Sequence, residues 1–329
     1  MNDPSDFKSC LAARIHDFLA YHRALGKRFA SEEDSLRMLD RYLLSQSVTT
    51  PQAITPTLLE TFVTCRPRQA RGFNTLLSTL RRFFDWLVLH EVLAQSPLKV
   101  QPRCCPPPRP PFIFDQPQMQ RVLEAAAQLR EGPHGYDRGP TYQLALTMMY
   151  GLGLRVGEAA RLCRQDVDLV RQLLVIRDTK FGKSRLVPFG PRMGARFEAY
   201  LQHAEQLCGP LRPESPFLST SRDKTHPLHS KAISHVFHKL IAKLNLTIPP
   251  GVEPPRAHHL RHSFAVGTLL RWYREGLNPA DRLLHLSTFM GHVDPSSTAV
   301  YLTITADLLQ EASDRFERFA APLLKERRL

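Results

Sequence analysis

Tyr301 stands nine residues after His292, in the run Met290-Gly291-His292-Val293-Asp294-Pro295-Ser296-Ser297-Thr298-Ala299-Val300-Tyr301. Upstream lie Arg155 in GLGLRVGE, Lys180 in TKFGKSRLVP, and His258 with Arg261 in HHLRH. Together they supply a hydroxyl nucleophile, two guanidinium groups, an ammonium and two imidazoles. Such a set suits attack on a phosphodiester without a metal ion. A phosphodiester repels nucleophiles, and its two non-bridging oxygens gain charge in the transition state. Arginine answers that best, because its fork of donors matches two oxygens and its charge does not titrate off. Arg155 and Arg261 are the candidates. Glu158, three residues after Arg155, falls on the same helix face and could brace its guanidinium. A leaving 5′ oxygen needs a proton, which Lys180 at a hairpin tip could donate. Lys183 competes for that role. A tyrosine hydroxyl titrates at about 10, so Tyr301 needs a base. His258 could take its proton, and His292 could hydrogen-bond the phosphate.

A metal reading is weaker. His258 and His262 are four apart, and His235 and His238 three apart. But HHLRH is not HExxH, and an arginine between ligands repels a cation. No metal or other cofactor is expected.

The 329 residues allow two domains with cores of their own, and 43% apolar with 23% charged residues reads as soluble and globular. Lys and Arg outnumber Asp and Glu by 44 to 31, a net charge of +13. That balance favours a polyanion as partner, because each neutralised phosphate releases condensed counterions. None of the six cysteines (Cys10, Cys65, Cys104, Cys105, Cys163, Cys208) forms a C-x-x-C pair, and all read as reduced thiols of a cytosolic protein. No apolar run approaches a membrane span, and MNDPSDFKSC does not read as a signal peptide. The expected location is the cytoplasm, on the nucleoid when DNA is bound.

The elements that must position these residues fall into two parts. Residues 102–111, PRCCPPPRPP, are too proline-rich for helix or central strand and read as an extended linker whose two arginines could track a phosphate backbone. Residues 1–101 before it read as all helix. Ser31-x-x-Asp34 looks like a capping box ahead of Leu36, Leu39 and Leu43. Thr55-Pro56 looks like an N-cap with a first-turn proline. Phe73, Leu76, Leu77, Leu80, Phe83, Phe84 and Leu87 form one stripe of a helix from near Arg68 to near His90. Arg66, Arg68, Arg71, Arg81 and Arg82 lie on or beside it. Their excess over acidic residues favours a face laid along DNA over a merely solvated one. Residues 112–329 read as mainly α with a small β-hairpin or sheet, an α+β class. Asp115-Gln116-Pro117 starts one helix, and another follows the 132–140 loop and runs into Gly151 and Gly153. Leu173–Ile176 and Arg185–Phe189 read as strands joined by a hairpin over Asp178 to Ser184. A helix through Ile233, Val236, Phe237, Leu240, Ile241 and Leu244 precedes three to five more.

At these residues the chain resembles the tyrosine recombinases, also called the phage integrase family. Their motif order is Arg, hairpin Lys, His-x-x-Arg, Gly-His, then Tyr nine residues on. The resemblance spans residues 112–329 and extends more weakly over 1–101. It implies a helical core-binding (SAM-like) domain at 1–101 and a catalytic domain at 112–329. It implies that Arg155 and Arg261 bind the scissile phosphate, Lys180 protonates the leaving 5′ oxygen, and His258 is the general base. His292 would support the transition state, and Tyr301 would become linked to the 3′ phosphate. The family's Lys-Gly-x-Lys turn is here Lys180-Phe181-Gly182-Lys183, so Lys183 stays beside Lys180 as a candidate. Neither ATP nor a divalent metal is implied. The resemblance further implies a homotetramer on DNA, with partner recombinases an open possibility. The amphipathic helix expected over 306–319 would pack on its own domain or dock into a neighbouring protomer. Residues 271–277 and the segment after Tyr301 look most like recombinases carried by transposons. Two other readings stand beside this one: a non-catalytic DNA-binding regulator of the same fold, and strand relaxation like that of a type IB topoisomerase.

Overall fold

The computed structural model describes residues 7–26, 29–107, 109–131, 136–177, 184–221, 223–292, 294–303, 310, 311, 313 and 314. The chain divides into two compact units, Met1–Pro108 and Arg109–Leu329.

The first unit holds four helices among the described residues: α1 (Ala12–Ala24), α2 (Ala30–Ser45), α3 (Pro56–Thr64) and α4 (Ala70–Leu89). The stripe from Phe73 to Leu87 on α4 is its spine and is buried throughout. It meets Phe18 of α1, Leu36 and Leu39 of α2, and Leu59 and Phe62 of α3 in one core. The Phe18 ring stands edge-on to Phe83 with centroids 5.2 Å apart, a geometry that aromatic quadrupoles favour. Thr55 caps α3 as expected, its Oγ1 accepting from the Leu58 N–H at 3.2 Å. The expected Ser31–Asp34 capping box does not form. Phe29 sits in the left-handed region at φ 51 and starts α2 at Ala30, so Ser31 lies inside the helix. Burial of the Phe29 ring against Phe18 and His22 accompanies that entry. Helix α1 agrees with the all-helical reading of this part, although no cap or stripe marks it individually, because its buried positions are only Ile15, Phe18 and Leu19 between charged neighbours.

The proline-rich stretch has no regular structure over its described residues. Its start is tied to α4: the Asn74 side chain donates to the Arg103 carbonyl and accepts from the Arg103 N–H, both at 2.8 Å. The Arg103 guanidinium lies 3.8 Å from the centre of the Phe73 ring. That arginine therefore serves the first unit's own packing rather than standing free for a phosphate.

The second unit is mainly helical with a small sheet, the class expected from the sequence. It contains α5 (Gln116–Ala127), α6 (Arg138–Gly151) and α7 (Val156–Arg161). The strands β1 (Val167–Asp168), β2 (Leu173–Ile176) and β3 (Arg185–Pro188) follow. Then come α8 (Pro191–Cys208), α9 (Ser230–Leu244), α10 (Ala257–Arg274), α11 (Pro279–Met290) and α12 (Ser296–Ala299). Asp115 and Gln118 make a reciprocal capping box that starts α5. The sheet is antiparallel in the order β1-β2-β3, with Leu174 opposite Val187 and Ile176 opposite Arg185. The short strand β1 and helix α8 were not anticipated. The hairpin tip expected between β2 and β3, residues 178–183 with Lys180 and Lys183, lies outside the described residues. So does most of the helix expected over 306–319.

Helix α6 is buried on most of its surface and packs against α5, α8 and α10. The main core runs from Phe112 to Leu260, and a smaller one joins Ala265, Val266, Leu269, Leu286, Met290 and Tyr301. Helix α10 belongs to both. It is also pinned to the segment before α5, where the Ser263 hydroxyl accepts from the Phe114 N–H at 2.8 Å.

Candidate active site

Arg155 is the residue that opens α7. Its N–H donates to Glu158 Oε2 at 2.9 Å, and its Nη1 donates to Glu158 Oε1 at 2.7 Å. One glutamate thus caps the helix and holds the guanidinium. The same carboxylate receives a second fork from β3: Arg185 Nη1 and Nη2 donate to Oε1 and Oε2, both at 2.9 Å. Burial by itself would raise the Glu158 pKa. The Arg185 fork and then Arg155 overcome that and hold it at about 2. Arg185 also donates from Nε to the Phe289 carbonyl at 2.9 Å, so it joins β3, α7 and the end of α11.

Two left-handed glycines complete the arginine seats. Gly153 has φ +61, and its carbonyl accepts from Arg261 Nη1 at 2.5 Å. Gly291 has φ +69, and its carbonyl accepts from Arg155 Nη2 at 2.8 Å. Arg261 Nη2 donates to the Met290 carbonyl at 2.7 Å. Side chains rarely tolerate such φ values. A Cβ on Gly153 would also lie 2.4 Å from the Phe264 ring. Arg261 is almost fully buried at 1% exposure. Burial and then the charge of Arg155 push its pKa down to about 9, which leaves it charged at neutral pH.

The imidazoles line the same place. His292, just after Gly291, has Nδ1 2.6 Å from Thr298 Oγ1. Burial and Arg261 lower its pKa to about 4. His258 keeps an exposed edge, yet the protein around the rest of the ring, followed by Arg261, lowers it to about 4 as well. His262 is lowered to about 3 by burial and then by His258. All three are neutral at neutral pH.

Tyr301 is 3% exposed, at the rim of the small core. Its hydroxyl is 2.7 Å from His262 Nδ1. Burial raises its pKa, and Arg261 and Arg155 oppose that rise. The ring of His292 lies 6.3 Å away at 24°. The sequence pointed to His258 as the tyrosine's partner. The structure places His262 there instead, one turn further along α10. His258 stands edge-on to His262 at 4.7 Å. The two histidines share a helix face, and the more buried of them meets the buried hydroxyl.

Arg155, Glu158, Arg261, His292 and Tyr301 are thus brought together, with His258 beside them. Lys180 and Lys183 lie outside the described residues. Three participants were missed: Arg185, His262 and Thr298. Arg185 had a legible signal, since it alternates inward with the buried Val187 while Leu186 points out, and an inward arginine needs a buried anion. His262 had one too, the four-residue step from His258. Thr298 had none short of the folded turn.

The arginines of the first unit divide. Arg66 and Arg71 are exposed. Arg68 is half-buried and donates to the carbonyls of Val63 and Arg66. Arg81 donates to the Val100 carbonyl at 3.0 Å. Arg82 pairs with Glu32 at 3.2 Å and lies over the Phe29 ring.

The phage integrase family model matches residues 113–307. The chain is 32% identical to y4rB of Sinorhizobium fredii, named an integrase/recombinase, over 92% of this chain and 96% of that protein. It is 27% identical to the tyrosine recombinase XerC of Listeria monocytogenes, over 84% of this chain and 87% of XerC. The chain belongs to the phage integrase family. Among solved structures, the Tn1549 transposon integrase bound to circular intermediate DNA shares the fold. Its TM-score is 0.62 at 16% identity, over 94% of this chain and all of that one. A lambda integrase dimer on its core site gives 0.59 at 15% identity, covering 87% of this chain and 96% of that one.

Proposed function

We propose that Tyr301 attacks a DNA phosphodiester held by Arg155, Arg261 and His292, and carries the strand by its 3′ phosphate until it is rejoined. Family membership makes the chain a tyrosine recombinase, an enzyme that cleaves and rejoins DNA. The observation that carries the residue assignments is that Arg155 and Arg261 are seated on the carbonyls of Gly291 and Met290, directly before His292, while Tyr301 packs with Met290 in one small core and its ring lies 6.3 Å from that of His292. Lys180 protonates the leaving 5′ oxygen, with Lys183 as its rival. His258, at the exposed edge, serves the phosphate.

Double-stranded DNA is the proposed partner. The solved Tn1549 integrase and lambda integrase are both described on DNA. The first unit acts as the core-binding domain, joined through the 102–111 linker, and the enzyme works as a homotetramer on its site. Among the described residues no helix is long and apolar enough to cross a membrane. The proposed location is the cytoplasm.

One experiment finds the DNA site and tests the nucleophile together. The full chain is incubated with duplexes randomised around a nick, and detergent-stable protein–DNA adducts are recovered and sequenced. Wild type should select a discrete site and trap itself on it. Tyr301→Phe should bind the selected duplex with unchanged affinity and form no adduct. Adducts with the Phe variant, or none with wild type, overturn the assignment.

A further inference from the structure

We infer that His262 is a catalytic residue for the nucleophile: its Nδ1 accepts the Tyr301 proton as the phosphotyrosyl bond forms. The inference rests on Tyr301 being the nucleophile and adds a group that the motif order does not assign. Its ground is contact. Among the described residues, His262 Nδ1 at 2.7 Å is the hydrogen-bond partner of the Tyr301 hydroxyl. The distance is that of an O–H···N bond, short enough for direct transfer. Both groups sit on elements held by the same small core, α10 and the turn after α12, so the contact is set by packing.

Charge supports the direction of transfer. His262 faces His258 and His259 on its own helix, Arg261 beside it, His292 from the loop after α11, and Tyr301. That company, with burial, keeps the ring neutral, so one of its two nitrogens is free to accept a proton. A ring that accepts at Nδ1 carries its own hydrogen on Nε2. An imidazolium here is costly without DNA, because the neighbours are cationic or neutral. A bound phosphate brings the missing negative charge, which grows in the transition state and makes the imidazolium far less costly.

The step balances. The Tyr301 oxygen bonds to phosphorus, the P–O5′ bond breaks, and the tyrosine proton passes to His262 Nδ1. The departing O5′ takes its proton from a separate acid on the other side of the phosphorus. Rejoining reverses the sequence, and His262 returns its proton to Tyr301.

The alternative is that His262 only parks the hydroxyl in the resting protein. Single-turnover cleavage of the selected duplex separates the two. His262→Phe keeps the ring's bulk and removes the acceptor. It should cut about a hundredfold more slowly at unchanged DNA affinity. His262→Asn, which keeps a hydrogen-bonding group near the Nδ1 position but is far too weak a base to take the proton, should stay nearly as slow as His262→Phe, and recovery of the wild-type rate by Asn would overturn the inference. A duplex whose 5′ bridging oxygen is replaced by sulfur, a leaving group that needs no proton, should leave the His262→Phe defect in place. Cleavage by His262→Phe at the wild-type rate or faster overturns the inference. So does full rescue by the sulfur leaving group, which would put His262 on the leaving-group side. Either result leaves the Tyr301→Phe test untouched.

Discussion

At the scale of single residues, the site depends on which nitrogen of each histidine holds a proton. His292 can donate to a phosphate from Nε2 only if Nδ1 accepts, and the group facing Nδ1 is the hydroxyl of the buried Thr298 at 2.6 Å. On the role proposed for His292, Thr298 would act through it as a positioning residue. Thr298→Val keeps the shape and removes the hydroxyl. It leaves a buried ring nitrogen without its partner, so stability should fall by about 1–2 kcal/mol. Single-turnover cleavage should fall about tenfold, with a smaller change in DNA affinity. Thr298→Ser should restore the rate. Equal rates for Val and wild type would show that the contact does not select the tautomer. The sequence exposed His292 and Tyr301 through a spacing that a fixed turn enforces. It was silent on Thr298, because a threonine three residues before a tyrosine has no meaning until α12 turns it back onto the ring. His262 was half-legible: a four-residue step from His258 puts two imidazoles on one helix face, but the same step suits a pair of metal ligands. Only the folded position of Tyr301 decides between them.

At the scale of elements, three pieces meet on one carboxylate. Arg185 of β3 clamps Glu158 of α7 with two bonds and the end of α11 with a third. Arg155 takes the other side of Glu158 and the Gly291 carbonyl. Moving β3 would therefore move the seat of Arg155. The helices themselves were legible where caps and stripes agreed, as at Thr55, Asp115 and along α4. The strand β1, of two residues, carries no periodicity to read. A pH consequence follows from Glu158. Its folded pKa of about 2 lies below its ordinary 4.5. The unfolded chain therefore binds the proton first as pH falls. The stabilisation, about 3 kcal/mol, is complete above pH ~4.5 and is lost progressively toward pH ~2. Arg185→Met removes the stronger of the two clamps. Denaturant unfolding at neutral pH should show a loss of about 3 kcal/mol. The acid limb should also begin at higher pH, because Glu158 protonates more easily. An unchanged acid limb would mean that Arg155 alone holds the charge.

At the scale of the whole molecule, a net charge of +13 favours contact with DNA phosphates, and the salt dependence of binding counts those contacts. Composition alone could not say which arginines take part, because a free guanidinium and one used to hold a loop look the same in sequence. The fold separates them. Arg71 is exposed on the face of α4 opposite the apolar stripe. Arg81, ten residues on, is turned toward the chain after α4 and donates to the Val100 carbonyl. The two should fail differently. Arg71→Ala should weaken binding of the selected duplex and lower the slope of log K against log salt by about 1, with unfolding of the first unit unchanged. Arg81→Ala should leave that slope alone and cost about 1 kcal/mol of stability, because the Val100 carbonyl loses a charged donor. Anisotropy titrations across a potassium chloride series, paired with denaturant melts, read both quantities on the same proteins. If Arg81→Ala lowers the slope as much as Arg71→Ala, Arg81 must leave Val100 when DNA binds. The basic face of α4 would then be assembled by the DNA rather than presented to it.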